Sequence, residues 1–143
     1  MSASDLAHVM KQDHRALNAL VRGNPEPKKE LFSRRDDATL ANPFGPPARG
    51  WDEIEPTLER VARLYREAEP KHFERISGYA AADLAYIVEI ERCRVKIGDA
   101  DAMATVSLRA TTIFRREDGA WKIVHRPDDP ITAMRPPESI LHQ

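Results

Sequence analysis

The chain has 143 residues, with 22 basic and 23 acidic side chains and a formal charge of −1. That length describes one domain, residues 1–143, and the even charge excludes the clustered basic excess of a nucleic-acid footprint. Cys93 is the only cysteine, which excludes an intramolecular disulfide and an all-cysteine metal site, and no stretch nears the roughly 20 apolar residues of a membrane span.

A domain of this size buries roughly 70% of the surface its unfolded chain exposes, enough for a core and a modest pocket. The first residues lack the basic-then-apolar order of a secretion signal, so a cytoplasmic protein without a membrane partner is expected.

Leu6, Val9, Met10, Leu17, Leu20 and Val21 recur at three- and four-residue spacings. They form one face of a helix running from about Asp5 to Arg22, with Gly23 as its stop signal. Asn24-Pro25-Glu26-Pro27 separates it from a short helix over Lys28 to Ser33 that turns Leu31 and Phe32 inward. Thr39 and Leu40 are extended, and Pro43 to Pro47 form a rigid loop. A second long helix follows. Asp52 and Glu55 fit a capping box, Pro56 falls in the first turn, and Ile54, Leu58, Val61, Ala62, Leu64 and Tyr65 make its buried stripe.

From His72 onward the texture is that of strands. The candidates are Phe73–Tyr79, Ala85–Ile97, Met103–Arg115 and Trp121–Arg126. Gly98-Asp99-Ala100-Asp101 separates the second from the third. Glu117-Asp118-Gly119 reads as a three-residue hairpin turn. The segment from about residue 128 is read as irregular. Helices first and antiparallel strands after them make an α+β chain.

Strand alternation sorts the sheet residues into two faces. With the three-residue turn, and with Glu91 opposite Arg109, one face carries Tyr86, Val88, Ile90, Arg92, Leu108, Ala110, Thr112, Phe114, Val124 and Arg126. This mostly apolar set is the expected concave interior. The other carries Glu89, Glu91, Arg109 and His125, read as surface or interface chemistry. Were the faces inverted, Glu91, Arg109 and His125 would become an acid–base candidate. A two-residue turn at Asp118-Gly119 would shift the pairing by one step.

The run Asp36-Asp37-Ala38-Thr39-Leu40-Ala41-Asn42-Pro43-Phe44-Gly45 resembles the corresponding segment of ketosteroid isomerase, in the NTF2-like and SnoaL-like superfamily. The ending Arg115 to Arg126 is similar to that of a bacterial SnoaL-like group, with Pro127 in place of that group's final histidine. The resemblance covers about Leu6 to Asp128. It implies a cystatin-like α+β cone, with helices packed on a strongly bent antiparallel sheet, a pocket between them, and a homodimer formed through the outer sheet face.

The resemblance also places the isomerase catalytic positions. The general-base position is Asn42, the tyrosine position Ala16 and the second-aspartate position Thr112. An asparagine amide does not take up a proton usefully at neutral pH, so steroid isomerase activity of that type is not expected. What remains is a small-molecule pocket whose candidates are Asn42, Phe44, Tyr65, Tyr86, Val88, Ile90, Ala110, Thr112, Phe114 and Arg126. Its expected ligand is small and mostly apolar, with a carbonyl or a carboxylate.

A buried guanidinium needs an anionic partner. For Arg126 the choices are an internal one, Asp37 or Asp128, and a ligand carboxylate. Asp36, Asp37, Asp128 and Asp129 are read as capping, turn or loop residues. The five histidines are scattered without ligand spacing, so no metal and no cofactor are expected. Two alternatives stand beside the binding reading. One is an isomerase, dehydratase or polyketide-cyclase-type enzyme with a different acid–base set, and the other is a non-catalytic dimerisation module.

Overall fold

The N-terminal apolar stripe forms the first helix. In the computed structural model, which describes residues 3–141, α1 spans Ala3–Val21 and buries Leu6, Val9, Leu17, Leu20 and Val21. Gly23 stops it at φ +96°. Its N–H donates to the Leu20 carbonyl at 3.0 Å and that of Asn24 to Ala19 at 2.9 Å, a left-handed exit that glycine makes without strain. Helix α2 is Glu26–Leu31. It starts two residues earlier than its composition indicates, because the Asn24 side chain accepts the Glu26 N–H at 3.1 Å and Pro27 suits a first turn.

Helix α3 is Trp51–Leu64. It begins ahead of the expected capping box. Gly50 takes the cap position at φ +78°, and Glu53, not Glu55, reaches back to accept the Arg49 N–H at 2.9 Å. Pro56 therefore lies in the second turn. The stripe of Ile54, Leu58, Val61 and Ala62 is buried as its spacing requires.

The strands are β1 (Thr39–Ala41), β2 (Ala48–Arg49), β3 (Tyr65–Arg66), β4 (His72–Ala80), β5 (Leu84–Ile97), β6 (Ala104–Glu117) and β7 (Ala120–Asp129). They form one sheet in the order β2-β1-β7-β6-β5-β3, with β4 sharing the β5 edge with β3. The sheet is mixed, because β1 runs parallel to β7. It curls strongly around the helices. One core cluster joins Leu6, Val9, Ile54 and Leu58 to Ile87, Phe114 and Ile123. A second joins Leu17, Leu20, Val21 and Val61 to Tyr65, Cys93 and Val95. Strand β7 continues through Pro127 to Asp129, past the expected end at Arg126. A single 3₁₀ turn, Pro137–Ile140, lies near the end of the described chain.

Register decides which side chains face inward, and here the expectation needs correction. The β6–β7 hairpin turns on two residues, Asp118 (φ +50°) and Gly119 (φ +83°), with Glu117 paired to Ala120. Two positive φ values are type I′ geometry, whose twist matches that of the strands. The shorter turn sends Trp121 and Ile123 inward. A bulge opposite Ile113 and Phe114 then absorbs Val124 and returns Arg126 to the interior.

On β5, Ile90 pairs with Arg109 and Glu91 with Leu108, one residue from the expected match. Ala85, Ile87, Glu89, Glu91 and Cys93 are consequently buried, while Tyr86, Val88, Ile90 and Arg92 turn to the outer face. Tyr86, Val88 and Ile90 thus do not face the interior, and neither does Val124. Leu108, Ala110, Thr112 and Phe114 of β6 do. The physical reason is that the interior accepts carboxylates wherever cations meet them. Polarity along β5 therefore does not mark its solvent face.

Candidate functional site

Between α1, α3 and the concave face of the sheet lies a narrow cavity of about 40 Å³. Leu17, Leu20, Val21, Leu40, Leu58 and Val61 form much of its wall. Its polar rim and floor are Lys28, Asn42, Tyr65, Lys71, Arg126 and Asp128. The Asn42-Pro43-Phe44 loop, partly exposed to solvent, stands at its mouth. A water molecule needs roughly 10–15 Å³ of such space, so the closed part holds about three waters.

The floor is a charge cluster built from several elements. Glu91 on β5 is 1% exposed and accepts hydrogen bonds from Arg126 Nη2 and Lys71 Nζ, each at 2.8 Å on Oε1. Its Oε2 also lies 2.8 Å from Arg126 Nη2 but is in line with no donor hydrogen. Arg126 further donates from Nη1 to Thr112 Oγ1 at 3.2 Å and from Nε to Asp128 Oδ2 at 3.3 Å. Lys28 of α2 is paired with Asp13 of α1, both buried. Lys28, Lys71 and Arg126 therefore stand against Asp13, Glu91 and Asp128, and the cluster is neutral without a ligand.

The proton affinities follow from this arrangement. Burial opposes ionisation of Glu91, but Arg126 and Lys71 outweigh it and hold the carboxyl below the usual carboxylate range. Asp128 goes the other way. Burial raises its proton affinity, the charge of Glu91 adds to that, and its long bond to Arg126 compensates only in part. Burial lowers the Lys28 ammonium from its ordinary range, against the pull of Asp13. Burial, with the nearby charges of Asp128 and Glu91, keeps the Tyr65 phenol protonated well above neutrality.

The cavity gathers four of the ten sequence-derived candidates: Asn42, Phe44, Tyr65 and Arg126. Thr112 stands behind it as a partner of Arg126. Ala110 and Phe114 belong to the inner sheet face without lining the cavity, and Tyr86, Val88 and Ile90 lie on the other side of the sheet. Asn42 uses its side-chain oxygen to accept the Phe44 N–H at 2.9 Å, fixing the loop. Phe44 meets Tyr65 edge to face, with ring centroids 6.3 Å apart.

Glu91, Arg109 and His125 are not brought together. Arg109 is exposed and bonded to Asp129 at 2.8 Å, and His125 Nδ1 is 2.7 Å from Thr39 Oγ1. Asp37 binds Arg115 at 2.8 Å, away from Arg126. The internal partners of Arg126 are Glu91 and Asp128. Among the described residues no group of three or more His, Cys, Asp and Glu side chains is arranged to hold a metal ion, and no helix is long and apolar enough to cross a membrane.

This arrangement of helices against a curled sheet is shared with known proteins, and residues 11–127 match the family model described as SnoaL-like domain. The chain belongs to the SnoaL-like domain family. None of the curated proteins matches it. Among solved structures, a ketosteroid isomerase-like protein from Erwinia carotovora atroseptica superposes with a TM-score of 0.76 at 17% identity, covering 92% of this chain and 100% of that one. An NTF2-like superfamily protein from Salmonella enterica serovar Typhimurium LT2 gives 0.76 at 15% identity, over 96% and 99%. A domain of unknown function with a cystatin-like fold from Nostoc punctiforme PCC 73102 gives 0.69 at 16%, over 94% and 82%. Identities this low establish the shared fold and nothing about the reaction.

Sequence reasoning missed Asp13, Lys28 and Lys71 as members of the site of this SnoaL-like chain, and offered Glu91 only with Arg109 and His125, as an acid–base set that required the sheet faces to be inverted. One signal was available. Asp13 falls at helical spacing between Met10 and Leu17, inside the apolar stripe of α1, where a solvated carboxylate does not belong. Nothing comparable marks Lys71, whose ammonium reaches Glu91 only because the segment before β4 folds over the end of α1. There its backbone N–H donates to Asn18 Oδ1 at 2.8 Å.

Proposed function

We propose that this SnoaL-like domain binds a small, mostly apolar molecule bearing a carbonyl group, held with that group directed into the cavity. The Tyr65 hydroxyl carries the reading. It lines the cavity, it is kept protonated, and it has no hydrogen-bond partner among the described residues. Among the described residues only Glu91 Oε2 is a sealed polar side-chain atom without a partner, so the Tyr65 hydroxyl is open to the cavity, and a carbonyl oxygen arriving there accepts a hydrogen bond worth about 0.5–1.5 kcal/mol. The cations beside it already have carboxylate partners, so an uncharged acceptor suits the site better than the carboxylate considered from the sequence. The closed volume favours a few heavy atoms over a fused ring system, since drug-sized ligands occupy about 300–1,000 Å³. A steroid is therefore not the expected ligand.

Pentan-2-one is a suitable probe. Titrated into ¹⁵N-labelled protein at millimolar concentrations, it is expected to shift the amides of residues 40–44, Tyr65 and residues 126–128 in a saturable manner. Shifts confined to other regions, or none at 50-fold molar excess, would contradict the reading.

The same chain is proposed to form a homodimer through the outer face of its sheet. That face carries Ile76, Tyr79 and Leu84, exposed by 55%, 63% and 51%, with Tyr79 directly opposite Tyr86 on the neighbouring strand. Exposed aromatic and aliphatic side chains grouped on one sheet are better accounted for by a second copy than by solvent. A single buried, unpaired cysteine fits a reducing, cytoplasmic setting.

A further inference from the structure

We infer that Lys28 captures the carbonyl group of the bound molecule covalently, as an imine on its Nζ, in the cavity that it lines. This rests on the binding reading above and names the side chain that acts on the ligand. Lys28 comes from α2 and is 1% exposed, yet it shares the cavity wall with Tyr65. Its partner Asp13 reaches it from the buried side of α1. Replacing a buried ion pair by apolar residues of similar volume is often neutral or stabilising. Fold stability therefore does not account for an amine set into a wall of Leu17, Leu20 and Val21.

The charged groups facing Lys28 are Asp13 on α1, Arg126 on β7 and Glu91 on β5. Burial lowers the ammonium from its ordinary range, Asp13 opposes that fall, and Arg126 adds to it. A lysine taken out of water beside another cation is a nucleophilic amine of the kind that forms imines. Lys71, the other lysine of the cavity wall, is placed differently. Its ammonium is held by Glu91 at 2.8 Å. In spite of burial, that carboxylate is kept ionised by Arg126 and Lys71 together, which makes it a poor proton carrier.

The reaction balances without a co-reactant. The Lys28 ammonium passes a proton to the Asp13 carboxylate. The freed lone pair forms a C–N bond to the carbonyl carbon, the C=O π pair moves onto oxygen, and that oxygen takes the proton from Asp13. Asp13 then removes one N–H proton and delivers it to the new hydroxyl group. The C–O bond breaks, water leaves, and the nitrogen lone pair closes the C=N bond. A protonated imine facing a carboxylate replaces an ammonium facing a carboxylate, so the cluster keeps its charge. The Tyr65 hydroxyl, donating to the carbonyl oxygen, polarises the bond under attack. The ligand class is a small aliphatic ketone or aldehyde, since carboxylic acids and esters form no imine.

Incubation of the wild-type protein with pentan-2-one and sodium cyanoborohydride at neutral pH tests this. Reduction fixes the imine as a secondary amine, and the protein gains the mass of the ketone less one oxygen. One adduct per chain is expected in the intact mass. Tandem mass spectrometry of the digested protein should map it to Lys28. Labelling there should exceed that of the exposed Lys11 by at least about 10-fold, as for an activated amine.

Lys28→Arg should abolish the adduct, because a guanidinium stays protonated and forms no imine. Mapping the adduct in the wild-type protein carries the test even if that variant folds poorly. Amide shifts with pentan-2-one but no adduct on Lys28 would overturn the inference and leave the binding reading standing. Adducts spread over the exposed lysines, or centred on Lys71, would overturn it as well. Absence of both amide shifts and adduct would remove the two readings together.

Discussion

Replacing Glu91 with glutamine keeps the shape of the side chain and removes the negative charge on which Arg126 and Lys71 converge. All three groups are out of solvent, with side-chain exposures of 0%, 3% and 5%. Arg126 keeps Asp128 as a weaker partner at 3.3 Å, but Lys71 loses the carboxylate it is paired with at 2.8 Å. Breaking a buried pair by removing one member costs about 3–5 kcal/mol, because a charge is left without compensation. With a urea slope of about 2 kcal/mol/M, the unfolding midpoint of Glu91→Gln should fall by about 1.5–2.5 M at pH 7.

The pH dependence gives the same argument a sign. Glu91 is held below its unfolded value of about 4.3, so its stabilising share is complete above that value. That share is lost as pH falls through the lower folded value. The wild-type and Glu91→Gln stabilities should therefore converge as pH drops from about 5 toward 2. A difference under about 1 kcal/mol at pH 7, or one that does not shrink in acid, would refute the reasoning.

Two further outcomes are expected. Gly119→Ala should destabilise by about 1–2 kcal/mol in urea denaturation, because a side chain is strained at φ +83°. An unchanged midpoint would argue against the two-residue turn. Tyr79→Glu on the outer face should leave the unfolding midpoint within about 0.5 kcal/mol of wild type while shifting the mass found by light scattering from two copies to one. A wild-type monomer would sink the dimer.

The helices were legible because their signals are local. The α1 stripe, Gly23 and the α3 stripe depend only on residues a few positions apart. The α+β order and the strand candidates came through for the same reason. Register did not, because it is set by features a residue or two long with consequences along a whole strand. A type I′ turn at Asp118-Gly119 in place of three residues, followed by a bulge at Val124, flips Trp121 and Ile123 inward and then restores Arg126.

On β5 the error had a different origin. Val88 and Ile90 look like core residues, and Glu89 and Glu91 look like surface ones. Yet Glu91 is neutralised by Arg126 and Lys71, and the buried Glu89 carboxylate lies 3.0 Å from the His14 ring. Such compensation across tens of residues leaves no trace in a local pattern. Tyr65, Asn42 and Arg126, candidates from the sequence, line the cavity, and Asp128, weighed from the sequence both as a loop residue and as a partner of Arg126, bonds Arg126 two residues away, whereas Glu91 and Lys71 approach it from distant segments.

The measurement that bears most directly on the account is the set of intermolecular nuclear Overhauser effects between bound pentan-2-one and the protein. The account requires contacts from the ketone to the Tyr65 ring and to methyl groups of Leu40, Leu58 and Val61, the cavity walls. Contacts to Tyr79, Tyr86 and Ile76 on the outer sheet face instead, or no contacts under saturating ketone, would contradict it.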